Sequence, residues 1–306
     1  MDVASDGIWY AEHDSVDGTH YYSVCSVLFD GQTAHHDVKI LVTEEWGKTL
    51  ILDGGIQSTE FDEAVVHEAI VHPAMITHPD PKEILILGSD DGAVLREVLA
   101  YRSVTGVTMA GVDEDFVDIC AEYLPEWSEG CLDLPNVEYE FEDSWEYLED
   151  NDKKFDVIFA DLSAYDEEDA EVDLREDGLY RLMASRLNEN GIVIAHGLDF
   201  DVSDPGSYQE SKKAIAGVFP IVANYMAHVP SFRSETMFLF ASQGPDQTTL
   251  SRSDIAVRLA ERGANEDRDL AARLRFYDAD SHVRMFSLPK NYKIALGEKP
   301  AINGHG

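Results

Sequence analysis

Five short apolar runs, at residues 83–87, 107–112, 137–141, 156–160 and 192–195, alternate along the middle of the chain with segments whose apolar residues mostly recur at helical spacing. Runs of this length and composition are strand-like. Joined through helices, such strands form a parallel sheet covered on each side. The pattern therefore predicts an α/β fold with a mostly parallel sheet. Two later apolar runs, at 221–225 and 237–241, are expected to close one edge of it as an antiparallel pair.

The first 55 or so residues have a different texture. Alternating runs at 21–29, 38–42 and 49–52 are punctuated by Asp17-Gly18, Asp30-Gly31 and Asp53-Gly54, the dipeptides of tight turns, and predict a small antiparallel sheet. Residues 62–76 carry helical periodicity that His78-Pro79-Asp80-Pro81 ends. Residues 243–249 read as a linker before helical patterns at 254–262 and 267–275. The expected division is a β-strand domain over 1–58 and an α/β domain over 59–306, with a helical extension from about 250.

Open parallel sheets bind ligands beyond the carboxyl ends of their strands. In this chain those positions are 88–92, 111–115, 142–143, 161–166 and His196, and nearly all are acidic. Such a rim repels a phosphate-rich dinucleotide and suits a sulfonium or an ammonium. The acidity extends to the whole chain: 60 Asp and Glu against 23 Lys and Arg give a formal net charge of −37. Spread this evenly, carboxylates read as a solvated surface adapted to high salt. Without a basic stripe, neither nucleic acid nor an anionic membrane is an expected partner. Cys25, Cys120 and Cys131 lack metal-ligand spacing, so no metal is expected, and their odd number fits a reducing, cytoplasmic setting. Cys120 is expected to pack as a small hydrophobe.

The stretch LILDGGIQSTEFDEAVVHEAIVHPAMITHPDPKEILILGSDDGAVLREVL, residues 50–99, resembles the core signature of the spermidine synthase family of polyamine aminopropyltransferases, and most of all its thermospermine-synthase-like branch. YLPEWSEG (123–130), FDVIFADLS (155–163) and FYDADSHVRMFSLP (276–289) continue the likeness over nearly the whole chain. The resemblance implies a small β-domain ahead of a methyltransferase-like Rossmann domain, assembled as a homodimer or homotetramer. It implies no permanently bound cofactor. Decarboxylated S-adenosylmethionine is the co-substrate, an aminopropyl group passes to a polyamine or diamine, and methylthioadenosine leaves.

Matched position by position, the resemblance places Asp161 as the catalytic acid, and Gln57, Gly88, Asp91, Gly92, Asp113, Asp143 and Ser144 around the donor. His67, Glu68, Asp166 and His196 fall on the acceptor side. Read as residues alone, Asp91 and Asp143 serve equally as helix caps and His67 as a hydrogen-bonded core histidine. The chain departs from the family pattern at Asp90, where the loop has a glycine, and at Gly111, where an acid grips the ribose. It departs again at His36, Val66, Ala164 and Phe232. These departures leave a second reading open, a non-catalytic relative that binds a polyamine or an active partner subunit. A methyltransferase using intact S-adenosylmethionine is a third, disfavoured because the acidic rim has no partner for the donor carboxylate. If the loop is impaired, Asp90→Gly with Gly111→Asp is expected to tighten methylthioadenosine binding at least about tenfold.

Overall fold

The structure is a computed structural model that describes residues 7–14, 18–161, 174–197, 200–264 and 270–298. Its amino-terminal sheet runs β1 (Ile8–Asp14), β2 (Gly18–Gln32), β3 (Asp37–Thr43), β4 (Gly47–Leu52) and β5 (Gly55–Thr59), antiparallel and in sequence order. Asp30-Gly31, expected as a turn, lies inside β2 instead. Asp30 there pairs in register with Lys39, whose ammonium is 2.7 Å from its carboxylate. The Phe29 ring lies over Gly31, where a Cβ would stand 2.8 Å from it. The glycine makes room for a ring and does not turn the chain.

The second sheet has the order β11-β12-β10-β9-β6-β7-β8. Its strands are β6 (Glu83–Leu87), β7 (Gly106–Ala110), β8 (Val137–Glu140), β9 (Phe155–Asp161), β10 (Leu187–His196), β11 (Ile221–Val229) and β12 (Ser234–Ser242). The pairs β8/β7, β7/β6, β6/β9 and β9/β10 are parallel, and β12 joins antiparallel to both β10 and β11. From β6 the chain winds outward through β7 and β8 and then crosses back to β9. The direction of winding reverses between β6 and β9, which opens the crevice in which open α/β sheets take ligands.

Two apolar layers flank this sheet, one centred on Ile84, Ile86, Val157 and Phe159, the other on Leu85, Ile158, Tyr180 and Val193. A third cluster joins the two sheets: Val38, Ile40 and Leu50 pack against Ala93, Phe116, Cys120, Leu124 and Trp127. Cys120 packs there as a small hydrophobe, and burial pushes its thiol pKa well up. Trp127 adds a polar link, its ring N–H donating to Ser58 Oγ at 2.7 Å.

Helix α1 (Glu63–Thr77) passes through Pro73 without ending. It is secured at both ends by later parts of the chain. Asp62, just before it, accepts from the backbone N–H of Ser231 (2.7 Å) and from its hydroxyl (3.0 Å). At its other end Arg258 and Arg262 donate to the carbonyls of Met75, Ile76 and His78, groups a helix terminus leaves without partners. Both arginines stand on α8 (Arg252–Arg262), within the helical pattern expected at 254–262. Of the pattern expected at 267–275, the described part forms a short helix at Leu270–Arg273. Among the described residues no helix is long and apolar enough to cross a membrane.

Candidate active site

Between β6 and helix α2 (Ala93–Leu99) lies the loop Gly88-Ser89-Asp90-Asp91-Gly92. Gly88, Ser89 and Gly92 have φ of 71°, 62° and 81°, the left-handed conformation that makes so sharp a turn. Gly92 is also required by contact, since a Cβ there would stand 2.8 Å from Ser128 Cβ. A Cβ on Gly88 would lie 3.3 Å from Asp161 Cβ, so the loop rests against the end of β9. Asp161 is the last residue of β9 and pairs in register with His196, the last of β10. Their side chains face one another at 3.9 Å, Nδ1 to Oδ1. Both stand at the carboxyl edge of the sheet beside the point where the winding reverses.

Asp91 is buried. Its Oδ1 accepts the N–H of Ala93, the first residue of α2, at 2.9 Å, while Oδ2 lies 3.5 Å from His67 Nε2. Burial works to raise its pKa, but His67, the Ala93 N–H and Arg96 together hold the carboxyl below the usual range. The other ring nitrogen of His67 is 3.0 Å from Glu63. Glu63 in turn receives Arg96 at 2.9 Å, together with Arg275. Arg96 also binds Glu97 (2.7 Å) and the Trp127 carbonyl (2.8 Å). Glu97 is held down to about 2: burial pushes its pKa up, and His72, Arg96 and Arg273 more than reverse that. A chain of paired polar groups, from Asp91 through His67 and Glu63 to Arg96, thus fixes the loop acid from behind.

Glu68 belongs to a different environment from its neighbour His67. Its carboxylate accepts the backbone N–H groups of Arg275, Phe276 and Tyr277 at 2.8, 2.9 and 2.6 Å. It lines a cavity of about 340 Å³ with Glu63, Arg96, Glu97 and Arg273. Its bonds are those of an anchor for the carboxyl-terminal segment.

Strand β7 stops at Ala110, two residues short of its apolar run, because Gly111 takes φ 69°. A Cβ on Gly111 would stand 2.0 Å from Ser144 Oγ and 3.2 Å from the Ser144 nitrogen. The structure opposes the expected repair Gly111→Asp: Ser144 stands in the side chain's place and the backbone disfavours any residue but glycine there. Asp113 lies two residues on and caps helix α3 (Glu114–Tyr123), accepting from Asp115 (3.1 Å) and Phe116 (3.4 Å). Asp143 likewise caps α5 (Ser144–Asp150), receiving Trp145 N–H at 2.7 Å. Asp90 bridges the two strand ends, its Oδ2 accepting the Asp113 N–H at 2.8 Å. Burial, with the neighbouring charges of Asp91 and Asp113, lifts the Asp90 pKa to about 7. His36 is tied to Asp53 at 2.8 Å, and Gln57 is exposed on β5.

Residues 63–252 match the spermine/spermidine synthase domain, and residues 8–60 match the spermidine synthase tetramerisation domain. The chain belongs to the spermine/spermidine synthase family. It is 34% identical over 294 residues to a polyamine aminopropyltransferase of Aeropyrum pernix, covering 95% of this chain and 91% of that protein. With polyamine aminopropyltransferase 2 of Pseudomonas aeruginosa it shares 36% over 267 residues, 84% of this chain and 74% of the relative. The spermidine synthase of Thermotoga maritima superposes with a TM-score of 0.81 at 28% identity, covering 95% of each chain. A spermidine synthase bound to the transition-state analogue AdoDATO superposes with a TM-score of 0.80 at 28% identity, covering 95% of this chain and 94% of that one.

Within this spermidine synthase fold, Gly88, Asp91, Gly92, Asp161, His67 and His196 gather about the β6/β9 crevice. Asp113, Asp143 and Ser144 line the ends of β7 and β8, at Gly111. Asp166 and Ala164 lie outside the described residues. Val66 packs against the sheet core, and Phe232 against a cluster in the amino-terminal sheet. Sequence reasoning did not find the support of Asp91 through Glu63 and Arg96, nor the reach of Asp90 to Asp113. The first had a signal, a lone Arg inside an apolar helical run.

Proposed function

We propose that the protein is a polyamine aminopropyltransferase that moves an aminopropyl group from decarboxylated S-adenosylmethionine to an amine and releases methylthioadenosine. The observation that carries the reading is Asp161, a carboxylate at the winding reversal, against the glycine loop and beside His196. The acceptor arrives as an ammonium, with a pKa near 10 by the lysine reference. Asp161 attracts and orients it, and with His196 takes the one proton that must leave before nitrogen can attack. The nitrogen lone pair then forms a bond to the carbon beside the sulfonium. The carbon–sulfur bond breaks with its electrons staying on sulfur, and the positive charge passes to the product amine. Asp91, kept ionised by His67 and Arg96, is suited to the donor's own ammonium end.

Within the family, residues 50–99 resemble the thermospermine-synthase-like branch most, which favours a polyamine acceptor, and the match at residues 8–60 supports a homo-oligomer. A second reading, a non-catalytic subunit that binds polyamine or an active partner, draws on Gly111, which leaves β7 without its ribose acid. Incubation with decarboxylated S-adenosylmethionine and a panel of di-, tri- and tetra-amines, following methylthioadenosine release, separates the two. Transfer is expected from wild type, and Asp161→Asn, which keeps the shape, is expected to lose at least about a hundredfold while remaining folded. Wild type silent with every amine favours the non-catalytic reading; near-normal turnover by the Asn variant moves the chemistry away from Asp161.

A further inference from the structure

We infer that Glu63 is a positioning residue for the donor: it fixes the ring of His67, and through that ring the Asp91 carboxylate that receives the donor's ammonium end. The inference rests on the aminopropyltransferase reading above. Glu63 opens α1 and His67 follows one turn later, a spacing that puts both on one face of the helix. A carboxylate only accepts, so the contact of 3.0 Å between Glu63 Oε2 and His67 Nδ1 settles that this ring nitrogen carries a proton. Nε2 is thereby the atom turned toward Asp91 Oδ2, 3.5 Å away. Turned over, the ring would offer Asp91 a carbon instead.

Glu63 is itself held on every side. Its side chain is 5% exposed and both oxygens are occupied: Oε2 accepts from Arg96 Nη2 at 2.9 Å as well as from His67, while Oε1 accepts from Arg96 Nη1 at 3.4 Å and from Arg275. Arg275 belongs to the carboxyl-terminal extension, so two distant parts of the chain aim one carboxylate at the ring. Arg96 does not depend on it, since Glu97 at 2.7 Å and the Trp127 carbonyl at 2.8 Å pair with the guanidinium as well. The ring does: among the described residues His67 pairs with Glu63 and Asp91 only. Asp91 Oδ1 is taken by the Ala93 N–H, which leaves Oδ2, the oxygen beside the ring, for an ammonium.

Methylthioadenosine lacks the aminopropyl ammonium, so a comparison of the two nucleosides isolates this role from any general loosening of the loop. The test is calorimetric titration of the full-length protein, without acceptor amine, with decarboxylated S-adenosylmethionine and with methylthioadenosine, for wild type, Glu63→Ala and Glu63→Gln. Glu63→Ala is expected to weaken the donor by about tenfold or more and methylthioadenosine by less than about twofold. Glu63→Gln, which preserves the shape if the alanine variant does not fold, turns an N–H toward groups that themselves donate; a loss of about threefold or more, again confined to the donor, is expected. An equal loss for both nucleosides in a folded variant, or no loss for either, overturns the positioning role while the aminopropyltransferase reading stands. Wild type that fails to bind the donor overturns both.

Discussion

Gly111→Ala is the smallest change that probes why the second strand ends without an acid. Two costs are separable in the structure. The backbone is left-handed at φ 69°, a conformation that costs an L-residue about 1–2 kcal/mol. The added methyl also lands 2.0 Å from Ser144 Oγ, 3.1 Å from its Cβ and 3.2 Å from its nitrogen. The hydroxyl can rotate, but the Cβ that carries it is fixed by the first turn of α5, so an overpacking cost of about 1–3 kcal/mol follows. Together the loss is about 2–5 kcal/mol, a large share of an ordinary domain's stability. Urea denaturation reads it out, with Ser144→Gly as background. In that background the Oγ and Cβ contacts are gone, and the cost of Gly111→Ala should fall to about 1–2 kcal/mol, the backbone share. Gly111→Ala with unchanged stability, or an equal cost in both backgrounds, would show that Ser144 does not occupy the missing side chain's place.

Glu68→Ala removes an acceptor from three backbone N–H groups and should cost about 3 kcal/mol or more of stability, with the KM for the amine unchanged in the folded fraction; a raised KM with intact stability would return Glu68 to the substrate. The net charge of −37 predicts a melting temperature that climbs steeply from dilute buffer to molar KCl, where the Debye length falls to about 3 Å. A melting temperature indifferent to salt refutes the salt-adapted reading. The pKa of Asp90, raised from 3.8 to about 7, makes the folded state the stronger proton binder. Its contribution is thus complete below the lower value and is lost as pH rises through the upper one. Wild type should accordingly lose stability relative to Asp90→Asn between about pH 4 and pH 7, and parallel pH profiles would contradict the assignment.

The parallel sheet was legible because short, largely apolar runs, such as Ile84–Leu87 in β6 and Val157–Ala160 in β9, alternate with helical patterns. The ligand edge followed from it, since residues that end parallel strands share one side of the sheet. Local signals served less well where a contact overrode them. Asp30-Gly31 has the composition of a turn, yet the Phe29 ring explains its glycine and the strand continues. Gly111 read as a loss, whereas Ser144, 33 residues further on, holds the space. Such pairings depend on side-chain directions across neighbouring strand ends, which no periodicity in one segment records. Glu68 shows the same limit: three amides of residues 275–277 claim it, and nothing near position 68 in sequence marks them.

Helix α1 has a consequence for the order in which the protein is made. The residues that secure it, Ser231, Arg258, Arg262 and the amides of 275–277, leave the ribosome after nearly all of the sheet has been synthesised. From residue 77 to residue 277 translation at about 5–20 residues per second takes roughly 10–40 s. Throughout that interval Glu68 is a buried charge in waiting, solvated by necessity, while the helix that carries His67 is held by Arg96 and the early strands alone. A chain cut short before Tyr277 would then emerge with its strands complete and Glu68 without the amides that hold it.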